Sequence, residues 1–290
     1  MSLQAKNINH IYNEGTALER YAVRDVSFEI HEGEFVGIIG QTGSGKSTLV
    51  QHLNGLLKAT RGDLLYDGES IYAKGYNMKK LRQQVGLVFQ YPEYQLFENE
   101  ILTDVMFGPK NCGLNEKDAR EQAVAALRLV GIDESLFMKS PFEISGGQRR
   151  RVAIAGVLAM HPRYLVLDEP TAGLDPRGRD DILAEIQQLK QETGMAVVLV
   201  SHCMEDMAEN VDRLLVMAHG ELKYDDSPRE VFRHYRELET MGLAAPQMVY
   251  VADELRKAGF AIPEGLITVD EVAAALRNLK PSCCYSADAF

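Results

Sequence analysis

Between residues 40 and 47 the chain runs Gly40-Gln41-Thr42-Gly43-Ser44-Gly45-Lys46-Ser47, directly after the apolar stretch Phe35-Val36-Gly37-Ile38-Ile39. A strand feeding this turn, with a helix beginning near Lys46, predicts a cradle for phosphate. Gly43 and Gly45 let the backbone curl so that its N–H groups point inward, and the helix N-terminus adds partial positive charge. Lys46 would reach the β- and γ-phosphates of a nucleotide, and the Ser47 hydroxyl would face Mg²⁺. An ordinary glycine-rich turn has no need of a strand before it, a helix after it and a Lys-Ser pair at the join.

A second chemical element lies downstream. Tyr164-Leu165-Val166-Leu167 is a short apolar run that reads as a buried strand, and it delivers Asp168 and Glu169 to the C-terminal edge of a parallel sheet. There Asp168 would hold the Mg²⁺ shell, directly or through water. Glu169 would orient or deprotonate a water attacking the γ-phosphate in line. An acidic pair at a strand end can also be a helix cap or a solvated charge, but Pro170 and a helix-start pattern follow at the spacing a hydrolytic site requires.

Alternating strand and helix patterns predict a mostly parallel sheet flanked by helices as the scaffold for these groups. A β-rich part runs from about Leu3 to Gly68, interrupted by a helix over Lys46 to Leu57. Residues 92 to 160 read as a helical lobe, with helical periodicity from Glu116 to Val130 and a stop at Gly131. Strands are predicted again at 164–167, 196–200 and 213–217, with an amphipathic helix over Asp180 to Glu192. Beyond Arg236 two helices are expected, Gln247 to Ala258 and Thr268 to Leu279. The second opens with Thr268 and Glu271 in capping-box spacing, and Gly259 and Pro281 act as terminators. Too small to bury both its faces alone, this appendage must pack on its own core or on a partner's copy.

The chain has 290 residues, more than one ordinary domain of about 100–200 residues, so a main domain with a second lobe and an appendage is the natural division. A formal net charge of −11 argues against a nucleic-acid surface, which carries a basic balance. The apolar runs fall well short of the ~20 residues that span a bilayer, and no charged-plus-apolar leader opens the chain. Cys112, Cys203, Cys283 and Cys284 form no C-x-x-C pair, which fits a reducing compartment. The run Arg149-Arg150-Arg151 reads as a solvated, salt-bridged helix face.

Taken together, these segments resemble the nucleotide-binding subunit of an ATP-binding cassette (ABC) transporter, with motifs spread from about residue 3 to 230. The implied fold is an α/β P-loop NTPase of ABC type, spanning 1–236, with a helical appendage at 237–290. Ile144-Ser145-Gly146-Gly147-Gln148 matches the family's signature, in which the serine hydroxyl and glycine N–H groups contact the γ-phosphate of ATP held by the opposite subunit. Ile144 stands where leucine is commoner, a change of similar volume. By the same resemblance Gly40, Thr42, Gly43, Ser44, Gly45, Lys46, Ser47 and Thr48 bind ATP. Gln90 senses Mg²⁺ and water, and His202, after the apolar run 196–200, contacts the γ-phosphate. Asp175 sits in the loop crossing the dimer interface, and Tyr12 stacks on adenine, with Tyr21 as its competitor. One chain then holds two half-sites and completes neither.

Two stretches narrow the resemblance: Tyr91-Pro92-Glu93-Tyr94-Gln95-Leu96-Phe97 after Gln90, and Met241-Gly242-Leu243-Ala244-Ala245-Pro246 at the start of the appendage. Both are similar to the ATPases of energy-coupling factor transporters, importers of vitamins and transition-metal ions, and nearest to the second ATPase of the heterodimeric modules. That implies a second ATPase chain (a homodimer being the alternative), a transmembrane coupling protein and a small substrate-binding membrane protein. It also implies a peripheral place on the cytoplasmic face of the cell membrane, and the appendage as a dimer contact. Another ABC transporter ATPase is the nearest competing reading. A clamp on DNA or ribosomes is the remote one, because clamps of the DNA-repair type insert a long coiled coil between cradle and signature, and here only the 97 residues from 48 to 144 intervene.

Overall fold

A computed structural model describes residues 2–279. The chain opens with β1 (Ser2–Tyr12), β2 (Arg20–His31) and β3 (Phe35–Gly40), followed by α1 (Lys46–Leu53), β4 (Arg61–Tyr66), β5 (Glu69–Ser70), α2 (Met78–Gln84) and β6 (Val85–Val88). Three helices then form the helical lobe: α3 (Ile101–Cys112), α4 (Glu116–Leu129) and α5 (Gly146–Leu158). The sheet resumes with β7 (Tyr164–Asp168), α6 (Pro176–Thr193), β8 (Ala196–Val200), α7 (Met204–Asn210), β9 (Arg213–Ala218) and β10 (Glu221–Asp226). The C-terminal part carries α8 (Pro228–Arg233), α9 (Tyr235–Thr240), α10 (Gln247–Lys257) and α11 (Val269–Asn278).

Two sheets result, an antiparallel one in the order β2-β1-β4-β5 and a larger one in the order β10-β9-β3-β8-β7-β6. In the larger sheet all pairs from β9 to β6 are parallel, and only β10 runs antiparallel at the edge. Every residue of β3, β6, β7 and β8 is buried, which is why these strands read as unbroken apolar runs rather than alternating ones. The parallel pairing sets the C-terminal ends of these strands along one edge. The loops after Gly40, Val88, Asp168 and Val200 therefore emerge together, where open α/β sheets place their ligands.

The helix from Lys46 stops at Leu53, four residues short of the expected Leu57. Asn54 caps it, and Gly55 at φ +66° turns the chain so that Leu56 and Leu57 N–H both return to the Gln51 carbonyl. The helix expected over 180–192 is longer at both ends, because Asp175 caps it before Pro176 and Gly194 closes it. The elements α2, β6, α7, β10, α8 and α9 had no counterpart among the expected elements.

The C-terminal helices lie where expected, and Thr268 and Glu271 form the predicted reciprocal cap. Ala252, Ile262 and Val272 make a small core of their own with Met248, Leu255 and Leu266 around it, whereas Leu243, Ala245 and Val249 belong to the main core. Arg229 of α8 pairs with Glu271, and the Tyr235 hydroxyl donates to Asp253 at 2.9 Å. Cys112 and Cys203 are free thiols; Cys283, Cys284 and Pro281 lie outside the described residues. Among the described residues no helix is long and apolar enough to cross a membrane.

Candidate nucleotide site

The cradle forms at the join of β3 and α1. Gly45, at φ +104°, is the N-cap of α1, and a Cβ there would lie 2.2 Å from the Ala22 carbonyl oxygen, so the close passage of β2 admits only glycine. Lys46 is buried, and its ammonium donates to the carbonyls of Gly40 at 2.6 Å and Gln41 at 3.0 Å. Burial pulls its pKa below the ordinary lysine value, and the carboxylates of Glu169 and Asp168 oppose that fall. Beneath the loop the Ser44 hydroxyl is buried with no partner.

Asp168 is buried at the end of β7. Burial raises its carboxyl pKa, a hydrogen bond with Ser47 works against the rise, and the neighbouring Glu169 charge adds to it. One residue on, Glu169 takes a left-handed backbone at φ +52°, and its N–H donates to the Val200 carbonyl at 3.0 Å, which ties it to the end of β8. A non-glycine residue in this region is strained, and strain of this kind collects at working sites. The Glu169 carboxylate is gripped from both sides: Gln90 Nε2 donates to Oε2 at 2.9 Å, and His202 Nε2 lies 2.6 Å from Oε1. Three loops separated by up to 112 residues (90 to 202) thus meet on one carboxylate.

A cavity of about 390 Å³ holds these groups together, lined by Tyr12, Thr42, Gly43, Gly45, Lys46, Ser47, Thr48, Gln90, Glu169 and His202. Ser47 and the adjacent Asp168 offer oxygen donors that suit a hard cation. Among the described residues no cluster of three or more His, Cys, Asp or Glu side chains could cage a metal. The Ser47 and Asp168 oxygens fit a Mg²⁺ ion whose shell is completed by phosphate oxygens and water, which is how this ion is commonly held.

Tyr12 stands at the rim, 41% exposed, its hydroxyl 3.3 Å from Thr48 Oγ1 and its ring edge-on to His10. Tyr21 is outside the cavity lining, with the Arg24 guanidinium 4.5 Å over its ring. Ser145 to Gln148 and Asp175 are likewise absent from the lining. Ser145 caps α5 with a reciprocal Ser145–Gln148 box, and the space beside Gly147 is open. Asp175 caps α6 by accepting from Gly178 N–H at 2.7 Å. The chain therefore gathers most of the cradle with Gln90, Glu169 and His202 round a cavity whose lining leaves out Gly40, Ser44 and Asp168, and displays the signature elsewhere.

Three features escaped the sequence. Arg20 and Ala22 of β2 also line the cavity, because strand register sets Arg20 opposite Tyr12. His52 of α1 is fully buried; its Nδ1 lies 2.6 Å from the Thr48 carbonyl and its Nε2 3.1 Å from His10, and burial pushes its pKa down to about 4. The third corrects the solvated arginine face: Arg150 is buried, forks onto Glu93 at 2.9 and 3.1 Å, and donates to the Pro170 carbonyl at 2.9 Å. Arg151 does make the salt bridge foreseen, to Glu185 at 2.7 Å.

Comparison with known proteins places this geometry. The ABC transporter family matches residues 23–172. The energy-coupling factor transporter ATP-binding protein EcfA2 of Caldanaerobacter subterraneus subsp. tengcongensis is 51% identical over 271 residues, covering 93% of this chain and 95% of the relative. The protein of the same name from Clostridium perfringens is 50% identical over 280 residues, covering 96% and 98%. Among solved structures, cbiO1 from Clostridium perfringens, part of the ABC transporter complex cbiONQ, superposes with a TM-score of 0.71 at 38% identity, over 82% of this chain and 94% of that one. The dimeric cassette MJ0796, in a post-hydrolysis state bound to ADP and Pi, gives 0.69 at 29% identity, over 78% and 98%. The chain belongs to the ABC transporter ATPases and, within them, to the energy-coupling factor ATP-binding proteins.

Proposed function

We propose that this chain hydrolyses ATP as one of two paired cassettes on the cytoplasmic face of the membrane, and that closure of the pair drives uptake of a vitamin or transition-metal ion through separate membrane subunits. The observation that carries the site assignment is the Glu169 carboxylate, held between Gln90 and His202 above the Lys46–Ser47 cradle. Lys46 exchanges the Gly40 and Gln41 carbonyls for the β- and γ-phosphates, while N–H groups of the 40–48 loop cradle the remaining oxygens. Ser47, Asp168 and Gln90 would hold Mg²⁺, which when bound would neutralise charge at the phosphate oxygens. Glu169 orients the attacking water and takes its proton; Gln90 and His202 fix the Glu169 carboxylate and face the γ-phosphate. Tyr12 offers its exposed ring to the base.

Ser145, Gly146, Gly147 and Gln148 complete the site of the second cassette, and Asp175 lies in the loop between the two. The second cassette is a different ATPase chain, as the likeness to EcfA2 proteins suggests. A transmembrane coupling protein and a small substrate-binding membrane protein make up the remainder, and no nucleic acid takes part. Residues 1–236 form the ATPase part, with 92–160 as its helical lobe. Residues 237–290, of which 280–290 lie outside the described residues, are assigned to an appendage whose described helices would contact the partner cassette.

Purifying the tagged chain from gently solubilised native membranes and identifying its companions by mass spectrometry tests this. A second cassette, a coupling membrane protein and small membrane proteins are expected. Ordinary permease subunits would move the chain to another ABC transporter type, and DNA or ribosomes without membrane proteins would overturn the transport reading.

A further inference from the structure

The stretch Met241 to Pro246 does something its likeness to other ATPases does not explain. Gly242 ends α9 in the left-handed region at φ +68°, its N–H returning to the Glu239 carbonyl at 2.9 Å. The space where a side chain would stand is filled by Gln41 of the phosphate loop: a Cβ at residue 242 would fall 1.5 Å from Gln41 Nε2, 2.7 Å from its Cδ and 3.4 Å from its Cγ. Gln41 is also the residue whose carbonyl holds the Lys46 ammonium at 3.0 Å and accepts the Ser44 N–H at 3.0 Å. Beyond this contact Leu243 and Ala245 are buried in the main core, so the stretch is anchored rather than draped. At its far end Gln247 N–H donates to Glu205 at 3.3 Å, three residues after His202. A surface recess of about 460 Å³ separates the two sides, bordered by Gln41, Thr42, His202 and Met204 on one and by 242–244 on the other.

We propose that residues 241–247 are a strut that positions the phosphate loop against the His202 loop through the contact of Gly242 with Gln41, and so links the appendage to nucleotide binding. The inference rests on the proposed function: Lys46 then gives up the Gln41 carbonyl for phosphate, which frees the segment carrying Gln41 to shift against its neighbour Gly242. Linkage is reciprocal: whatever moves the strut changes ATP affinity, and ATP changes the strut. Gly242 and Gln41 act through the loop and are positioning residues, not catalytic ones.

Gly242→Asn tests the contact, because asparagine tolerates a left-handed backbone while its side chain occupies the space of Gln41. In the full chain, ATP affinity measured by calorimetry should fall about tenfold, within the range of ordinary site-to-site coupling. Gln41→Ala added to Gly242→Asn should restore most of it by clearing the clash. Unchanged affinity in Gly242→Asn, or a loss that Gln41→Ala leaves in place, would overturn the proposal. A second measurement needs no variant: ATP added to the wild-type chain should slow amide hydrogen exchange across 241–247, and unchanged exchange there would also overturn it. Because the wild-type chain must bind ATP in the same experiment, failure of the strut is distinguishable from failure of the nucleotide site.

Discussion

Glu93→Gln removes one charge from a buried pair that ties together the segment after Gln90, the signature helix and the residue following Glu169. The Arg150 side chain is 3% exposed and that of Glu93 14%, with two hydrogen bonds between them and a third from Arg150 to the Pro170 carbonyl. Removing one partner of such a pair leaves the other charge buried, at a cost of about 3–5 kcal/mol. Glutamine keeps the shape and one acceptor, so the lower end, about 3 kcal/mol, is expected. That corresponds to a fall of about 6 °C in Tm for a chain of this size, using about 2 °C per kcal/mol. Scanning calorimetry of Glu93→Gln, Arg150→Met and the double variant is the assay. The double variant should recover much of the loss, since no charge is then left unpaired. Burial, the largest single influence, opposes ionisation of Glu93, but the Arg150 hydrogen bonds, a hydrogen bond from its own backbone N–H and the charges of Arg150 and Arg149 together outweigh it and hold its pKa below the ordinary value of 4.5. This stability is therefore present above about pH 4.5 and lost as pH falls through the folded pKa, a slope Glu93→Gln should flatten. A Tm shift below about 1 °C, or strictly additive single losses, would show that Glu93 and Arg150 are not a coupled buried pair.

Other perturbations test the catalytic groups and the buried histidine. Glu169→Gln should keep ATP affinity while turnover falls by on the order of 10²–10⁴ in a phosphate-release assay; unchanged turnover would remove Glu169 from its role. Lys46→Ala should weaken ATP binding itself by calorimetry, and retained tight affinity would contradict the cradle. His52 is neutral in the fold with a pKa of about 4 against 6.5 unfolded, so protons favour the unfolded chain. Its contribution is intact above pH 6.5 and fades on the way to pH 4, by up to about 3 kcal/mol. An NMR titration showing the His52 ring protonated by pH 6 would contradict this.

The parts legible in the sequence are those where one physical rule acts alone. β3, β7 and β8 are buried on both faces and therefore announce themselves as apolar runs. The Thr268–Glu271 cap is set by contacts a few residues apart. By contrast β10 is a polar edge strand, Glu221–Asp226, with no buried residue to give it a pattern. Arg149, Arg150 and Arg151 read as one solvated face, yet successive helix positions point about 100° apart, so three in a row cannot share a face. One of them had to turn inward, and which one depends on Glu93, 57 residues away. Arg20 in the cavity and Gln41 against Gly242 likewise follow from register and tertiary contact, not from local spacing.

On the proposed function Ser145 serves ATP held by another chain; it stands outside the cavity round Lys46. ATP turnover of the complex purified from membranes with Ser145→Arg in this chain, set beside ATP affinity of the isolated variant chain, tests it most directly. Turnover should fall by on the order of 10²-fold, about what loss of one phosphate-stabilising donor costs, while the isolated chain should bind ATP as before. Undiminished turnover, or loss of the chain's own ATP binding, would contradict it.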